Sequence, residues 1–318
     1  MSEYKSKWAK SPRPAKSLGS VGVVRPGKFE SDFFATDCLE VAVDDRKIRY
    51  VAANRLAAKR VHSLFTKEPT TIPWLETFAA DDVFFDIGAN VGMYSVYACA
   101  MTGCKTYAFE PEALNYAELN KNAFINGLNA RLKAYNIAIS DEMRVGDLLL
   151  GAFGYSYSHH DFNESTWSED HYFGDKATKK EERVHQGCVS LPVDALIAEH
   201  GLPQPHHIKI DVDGLEHRVF AGMRKTLGSP QLKTVLIEID FQHANCAELV
   251  DEMSAMGWRH SMHQLRANRK KILDEADIER MRRHAKGGLN FIFFKDDFYE
   301  DLFARFLENY SPPMAPAK

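Results

Sequence analysis

The sequence predicts an α/β fold, a doubly wound and mainly parallel sheet with helices on both faces, preceded by an N-terminal extension. Three observations predict it. From Val83 onward, short β-rich runs alternate with helix-period segments. The first of those runs, VFFDI, leads straight into a glycine-bearing turn and a helix, which is the grammar of a doubly wound sheet. The composition, 45% hydrophobic and 26% charged over 318 residues, is that of an ordinary globular chain able to bury a sizeable core.

Taken in order, residues 1–28 carry Lys5, Lys7, Lys10, Arg13, Lys16, Arg25 and Lys28 against the single acid Glu3, and read as a flexible basic arm. Residues 29–80 form an N-terminal extension or cap. Within it CLEVAV and KIRYVA flank Asp44, Asp45 and Arg46 as a hairpin, a helix follows near Ala57 to Phe65, and EPTTIPW leads into a short helix ending near Asp81. Residues 81–318 are the α/β domain. Its expected elements are VFFDI, a helix over Met93 to Met101, KTYAFE, a helix over Leu114 to Ile125, and LKAYNIAI as a third strand. HHIKIDV, a helix over Glu216 to Thr226, TVLIEID, a helix over Ala247 to Met256, a short strand near Trp258 to Met262, a helical insertion at Asp274 to His284 and LNFIFF complete it.

An insert at 151–186, rich in Gly, Ser and aromatic residues, breaks this alternation. Its length and place beside the sheet predict a substrate lid, with His159, His160, His171, His185, Tyr155, Tyr157, Trp167, Tyr172 and Phe173 offering an acceptor-binding surface or ordinary packing.

Composition excludes several classes. A net charge of −4 supplies no global basic field for nucleic acid. The five cysteines, Cys38, Cys99, Cys104, Cys188 and Cys246, form no CxxC pair and read as reduced thiols. No apolar run reaches the length of a membrane span and no secretory signal opens the sequence, so the expected location is cytoplasmic. A homo-oligomer is compatible with the pattern.

The most informative segment is DIGANVG, Asp86 to Gly92. Gly88 and Gly92 permit a tight turn and close backbone approach, Asp86 and Asn90 add polar groups, and Ala89 lies between them. The next strand ends in Phe109, Glu110, Pro111, placing a carboxylate where such folds grip a ribose. A dinucleotide site needs GxGxxG, but positions 90 and 93 are Asn and Met. The pattern fits S-adenosyl-L-methionine better than NAD. Ser140 and Asp141, closing the third strand, either meet the adenine edge or cap a helix.

Lys209, Asp211, Asp213 and Glu216 cluster at the end of the fourth strand as candidate catalytic residues. An alcohol is a poor nucleophile near neutral pH, and Asp211 assisted by Lys209 is placed to orient or deprotonate one. The alternatives are a structural ion pair, a contact to the cofactor's amino-acid end, or a divalent metal held by Asp211, Asp240 and His243, which is not favoured. Glu238 and Asp240 alternate along an apolar strand and read more simply as a structural pair.

Together EPTTIPW, VFFDIGANVGMYS, AFEPE, NIAISD and IKIDVDGLEHRVFAGM resemble the FkbM family of S-adenosylmethionine-dependent methyltransferases, over roughly residues 68 to 240 apart from the insert. The resemblance implies a class I methyltransferase fold with a seven-stranded, mainly parallel sheet, and methyl transfer to a hydroxyl of a sugar, glycan or natural product. Two features depart from the family pattern: Asp213 stands where a glutamate is usual, and the aromatic insert is particular to this chain. The acceptor is therefore not implied. DVDG after the fourth strand lacks the Pro-Pro-aromatic sequence of enzymes that methylate base nitrogens, and no cysteine follows a proline. A regulatory or scaffold role, or another small-molecule or protein acceptor, are the alternatives.

Overall fold

A computed structural model describes residues 20–24, 38–150, 154, 156–158, 160–162, 170–173, 176–179, 184–269, 272, 274–284 and 287–309. In the extension, β1 (Ser20–Val24), β2 (Cys38–Val43) and β3 (Arg46–Val51) form an antiparallel sheet. The expected hairpin is present, and Asp44 at its tip sits in the left-handed region at φ 52°. The strand β1 corrects the reading of residues 1–28 as an arm throughout: the β-branched run SVGVV pairs with β2 from Ser20↔Ala42 to Val24↔Cys38. The helix α1 (Arg55–His62) is capped by Asn54, whose Oδ1 accepts the Ala57 amide at 2.8 Å. The fully buried α2 (Thr71–Leu75) follows.

The α/β domain begins with β4 (Val83–Ile87), α3 (Met93–Thr102), β5 (Lys105–Phe109), α4 (Ala113–Ile125) and β6 (Leu132–Tyr135). After β7 (Ala138–Ile139), the strands β8 (Arg144–Leu150), β9 (His160–Phe162), β10 (Asp170–Phe173), β11 (Lys176–Lys179) and β12 (Val184–Leu191) fill the region of the insert. The chain continues through α5 (Val193–Ala198), β13 (His207–Ile210), α6 (Glu216–Ala221), α7 (Arg224–Leu227) and β14 (Thr234–Asp240). It ends with α8 (Ala244–Ala247), α9 (Leu249–Ala255), α10 (Met262–Asn268), α11 (Glu275–Arg283), β15 (Gly288–Phe294) and α12 (Phe298–Asn309).

The central sheet has the order β15-β14-β13-β4-β5-β6, parallel except for β15, and its winding reverses at β4. All five residues of β4 are buried. Alternation sends Phe84 into one core with Val41, Tyr50, Val96 and Phe303, and Val83, Phe85 and Ile87 into the other with Ile208, Ile237 and Phe291. The extension thus shares its core with the α/β domain.

Among the described residues the central sheet has six strands, where the family resemblance implied seven. At the expected short strand only the bridge Arg259↔Phe294 forms, because Ser261 immediately caps α10 by accepting the His263 amide at 3.2 Å. The run LKAYNIAI also divides. Its second half, β7, joins a separate sheet ordered β7-β12-β8-β9, in which the long antiparallel pair β8 and β12 frames the insert. Of the aromatic palette, His159, Tyr155 and Trp167 lie outside the described residues.

Candidate active site

At the winding reversal, the turn after β4 passes under the end of β13. Gly88 has φ +76°, and a Cβ there would lie 1.9 Å from the Asp211 carbonyl oxygen, so only glycine lets the two backbones meet. The Gly88 and Ala89 amides donate to the Phe109 carbonyl at 3.0 and 3.1 Å. Gly92, at φ +78°, lets α3 start against Leu119, 2.8 Å from where its Cβ would be. Asn90 adopts φ 51°, and its amide donates to Glu110 Oε2 at 2.7 Å, while the Glu112 amide donates to Glu110 Oε1 at 3.0 Å. Burial pushes the Glu110 carboxyl up to about 8, against the pull of those two amides.

Strand alternation places Asp86 and Lys209 on one face of the sheet, and register makes them direct neighbours. Asp86 is buried; Ser95 Oγ donates to its Oδ2 at 2.5 Å, and its Oδ1 has no hydrogen-bond partner. Burial raises its pKa, opposed by Lys209 and Ser95. Lys209 Nζ lies 2.7 Å from Asp211 Oδ2 and 5.3 Å from the centre of the Tyr94 ring. Burial works against its ammonium, but Asp211, Asp86 and Glu68 outweigh burial and hold the amine above its ordinary value.

Glu238, one strand further along, hydrogen-bonds Asp211. Burial of Asp211 is overcome by Lys209, by that bond and by Lys67, which hold its carboxyl far below the usual carboxylate range. The resulting anion, followed by burial, drives Glu238 well above it. The two carboxyls therefore share a proton, with the negative charge on Asp211 beside the ammonium of Lys209.

These groups border a cleft of about 590 Å³ lined by Gly88, Asn90, Glu110, Pro111, Asp211, Asp213 and Glu238 on the sheet side. Leu56, Lys59, Arg60, Ser63, Thr66 and Lys67 form its wall on the cap side. Ser158 and His160 line it from the insert. A smaller hollow of about 50 Å³ adjoins it, reaching Asp86, Ala89, Tyr94 and Lys209. The stretch around Tyr157 is tied across the turn: the Tyr157 carbonyl accepts from Asn90 Nδ2 at 2.7 Å and Asn115 Nδ2 at 3.0 Å, and Asn115 Oδ1 accepts the Ser156 amide at 2.7 Å.

The structure thus gathers Asp86, Gly88, Ala89, Asn90, Glu110, Pro111, Lys209, Asp211 and Asp213 around one space. It places others elsewhere. Glu216 is absent from the walls of both hollows: its carboxylate accepts the Val212 and Gly214 amides at 3.1 to 3.2 Å and the Cys246 thiol at 3.3 Å, holding the loop shut, and burial pushes it up to about 7. Ser140 donates to Asp141 at 2.9 Å, and Asp141 accepts from Arg218 Nε at 3.0 Å, so this pair anchors α6 rather than lining the cleft. Gly92 acts through helix packing.

Asp240 turns back onto the Gln242 amide at 2.9 Å, and His243 packs against Gly214, whose Cβ would lie 2.9 Å from Nε2. Asp211, Asp240 and His243 therefore do not converge. Among the described residues no group of three or more His, Cys, Asp or Glu side chains is arranged to hold a metal ion. Sequence reasoning missed Arg60, Lys67, Glu68, Tyr94, Ser95 and Asn115 as site residues and took Glu238 for a structural partner of Asp240. An acid two residues from the end of an otherwise apolar strand was the available signal for Glu238.

A two-way wound sheet, a glycine turn at its reversal and an acid closing the neighbouring strand are the build of a class I methyltransferase domain. Residues 86–260 match the methyltransferase FkbM domain, and the chain belongs to that family. It is similar to the 31-O-demethyl-FK506 methyltransferase FkbM of Streptomyces tacrolimicus, at 26% identity over 203 residues, which cover 56% of this chain and 72% of that protein. It is also similar to the hexuronic acid methyltransferase AglP of Haloferax volcanii, at 25% identity over 179 residues, covering 56% of this chain and 65% of that one. Among solved structures, methyltransferase FkbM from Methylobacillus flagellatus aligns at a TM-score of 0.38 and 13% identity over 75% of this chain. The alignment spans about half, 55%, of that structure's chain.

Proposed function

We propose that the protein is an S-adenosylmethionine-dependent O-methyltransferase acting on a hydroxyl of a sugar, glycan or natural-product acceptor. The observation that carries the reading is the adjacency of the two hollows: Gly88, Asn90 and Asp211 stand in the walls of both, with Glu110 lining the larger and Asp86 the smaller. The residues present suit this cofactor. The buried, unpartnered Asp86 Oδ1 is an acceptor for an ammonium group, and the glycine turn leaves room for a ligand beside backbone. Glu110, in the wall of the same cleft, is the carboxylate that would receive a ribose. When bound, the cofactor would supply an electrophilic methyl on its sulfonium.

The chain's own contribution is positioning and proton handling. Asp211, ionised and fixed by Lys209, accepts a hydrogen bond from the acceptor hydroxyl and aims its oxygen into the cleft. With the methyl passing from sulfur to the hydroxyl oxygen and the donor leaving as a neutral thioether, the hydroxyl would become strongly acidic, so that even a carboxylate of low basicity, Asp211, would take its proton. The protonated Glu238 spares Asp211 a second adjacent negative charge. The relatives' names, a 31-O-demethyl-FK506 methyltransferase and a hexuronic acid methyltransferase, support an oxygen acceptor.

The test is transfer of tritiated methyl from labelled cofactor to a panel of hexuronic acid glycosides, neutral hexosides and hydroxylated macrolides. Transfer to a hydroxyl is expected, falling on the order of 100-fold in Asp211→Asn with cofactor binding retained. Undiminished transfer by that variant would remove Asp211 from its role. Labelling of nitrogen or carbon only would overturn the O-methyl reading.

A further inference from the structure

The cap wall bears on the donor as well as the acceptor. The small hollow is bounded on the sheet side by Asp86, Asp211 and Lys209, and on the cap side by Arg60, Ser63 and Lys67. An amino-acid end entering it carries two opposite charges, and the two sides are matched to them unequally. On the sheet side the buried Asp86 Oδ1 lacks a partner, and the only cation, Lys209, is already 2.7 Å from Asp211. That side suits an ammonium and repels a carboxylate.

The cations facing it come from α1 and the turn after it. Arg60 lines both hollows, and its Nε donates to the Ser156 carbonyl at 3.0 Å, which anchors the guanidinium by one edge. Among the described residues no salt bridge holds it, and the buried Glu118 of α4 acts on it only through space. Lys67 also lines both hollows, and its ammonium, on a half-exposed side chain, lies 3.1 Å from the buried Glu68. A guanidinium fork and an ammonium across from an orphaned carboxylate oxygen form a receptor for a zwitterion.

We propose that the cap completes the donor site, Arg60 and Lys67 receiving the carboxylate of the cofactor's amino-acid end while Asp86 receives its ammonium, so that the site selects nucleosides carrying that end. The proposal rests on the reading of the donor as S-adenosylmethionine. It assigns the extension to cofactor selection, and it places the basic residues of α1 in the site.

Isothermal titration of the full chain with S-adenosylhomocysteine and with 5′-methylthioadenosine, the same nucleoside without the amino-acid end, tests it. Arg60→Met and Lys67→Met are each expected to weaken S-adenosylhomocysteine binding at least 10-fold while changing 5′-methylthioadenosine binding less than 2-fold, with Arg60→Lys recovering part of the loss. Wild-type affinity for S-adenosylhomocysteine in both Met variants would overturn the proposal, as would a parallel loss of both nucleosides, which marks a structural role. Binding of neither nucleoside by the wild-type chain would instead refute the donor reading on which the proposal stands.

Discussion

At Gly88 the backbone of the first turn and that of the Asp211 strand end are in direct contact, and this contact sets the distance between donor and acceptor regions. Alanine there would meet the Asp211 carbonyl at 1.9 Å from a φ of +76°. Left-handed strain and overlap with backbone that cannot rotate away together cost on the order of 3 kcal/mol. Gly88→Ala is therefore expected to lower the thermal midpoint by roughly 5 °C or more and to abolish S-adenosylhomocysteine binding; an unchanged melt would show that the turn can yield. Asp86, Gly88, Asn90 and Glu110 were legible in the sequence because one short stretch and the next strand end carry them, at fixed spacing. Arg60, Lys67 and Glu238 were not. They reach the cleft from a different helix, a turn and a strand whose adjacency exists only once the sheet order is set.

At the scale of elements, the site is closed by a strap from the insert that is held largely by one side chain of α4. Asn115 is fully buried and uses both ends of its amide, accepting the Ser156 amide and donating to the Tyr157 carbonyl, while Ser156 itself sits at φ 67°. Asn115→Ala leaves a buried N–H unpaired, at about 1–3 kcal/mol. Hydrogen exchange at residues 156–158 should then accelerate at least 10-fold with the sheet amides unchanged, and exchange at the wild-type rate would show that Asn90 and Arg60 suffice to hold the strap.

The insert's character was legible only as a break in the βα alternation, since its low aliphatic periodicity gave no register, and the pairing of β8 with β12 depends on tertiary context. The helix over Glu216 to Thr226 was legible as one element but is two. At Gly222, where a Cβ would come within 2.1 Å of the Ser140 carbonyl, a neighbouring loop crosses the helix at its waist.

For the molecule as a whole, the balance of buried titratable groups sets the pH of greatest stability. Burial pushes Glu110 up to about 8, and Glu118 and Glu216 up to about 7. Each of these raised carboxyls keeps its proton in the native state longer than in the unfolded chain. Each therefore contributes stability that is complete below the ordinary glutamate range and is lost as pH rises through 7 to 8.

His207 runs the other way. Buried between Asp82 and Thr234, it is pushed down to about 4, chiefly by burial, so its contribution is complete above 6.5 and lost as pH falls toward 4. The raised carboxyls, which also include Asp86 and Glu238, outnumber the histidines held below their ordinary value, His206, His207 and His260, and put the optimum on the acid side of neutrality in the cofactor-free protein, with thermal stability falling toward pH 8. Glu118 shows the effect most directly, because it is fully buried with neither oxygen hydrogen-bonded and does not line either hollow, and burial outweighs the opposing charges of Lys121 and Arg60. Replacing it by the neutral isostere in Glu118→Gln should leave stability at pH 5 nearly unchanged and raise it at pH 8 by up to about 3 kcal/mol, flattening the decline. Denaturant melts of the two proteins at both pH values measure this difference directly. A variant whose decline parallels the wild type would mean that Glu118 ionises in the folded chain with ordinary ease, and that the acid-side optimum has another source.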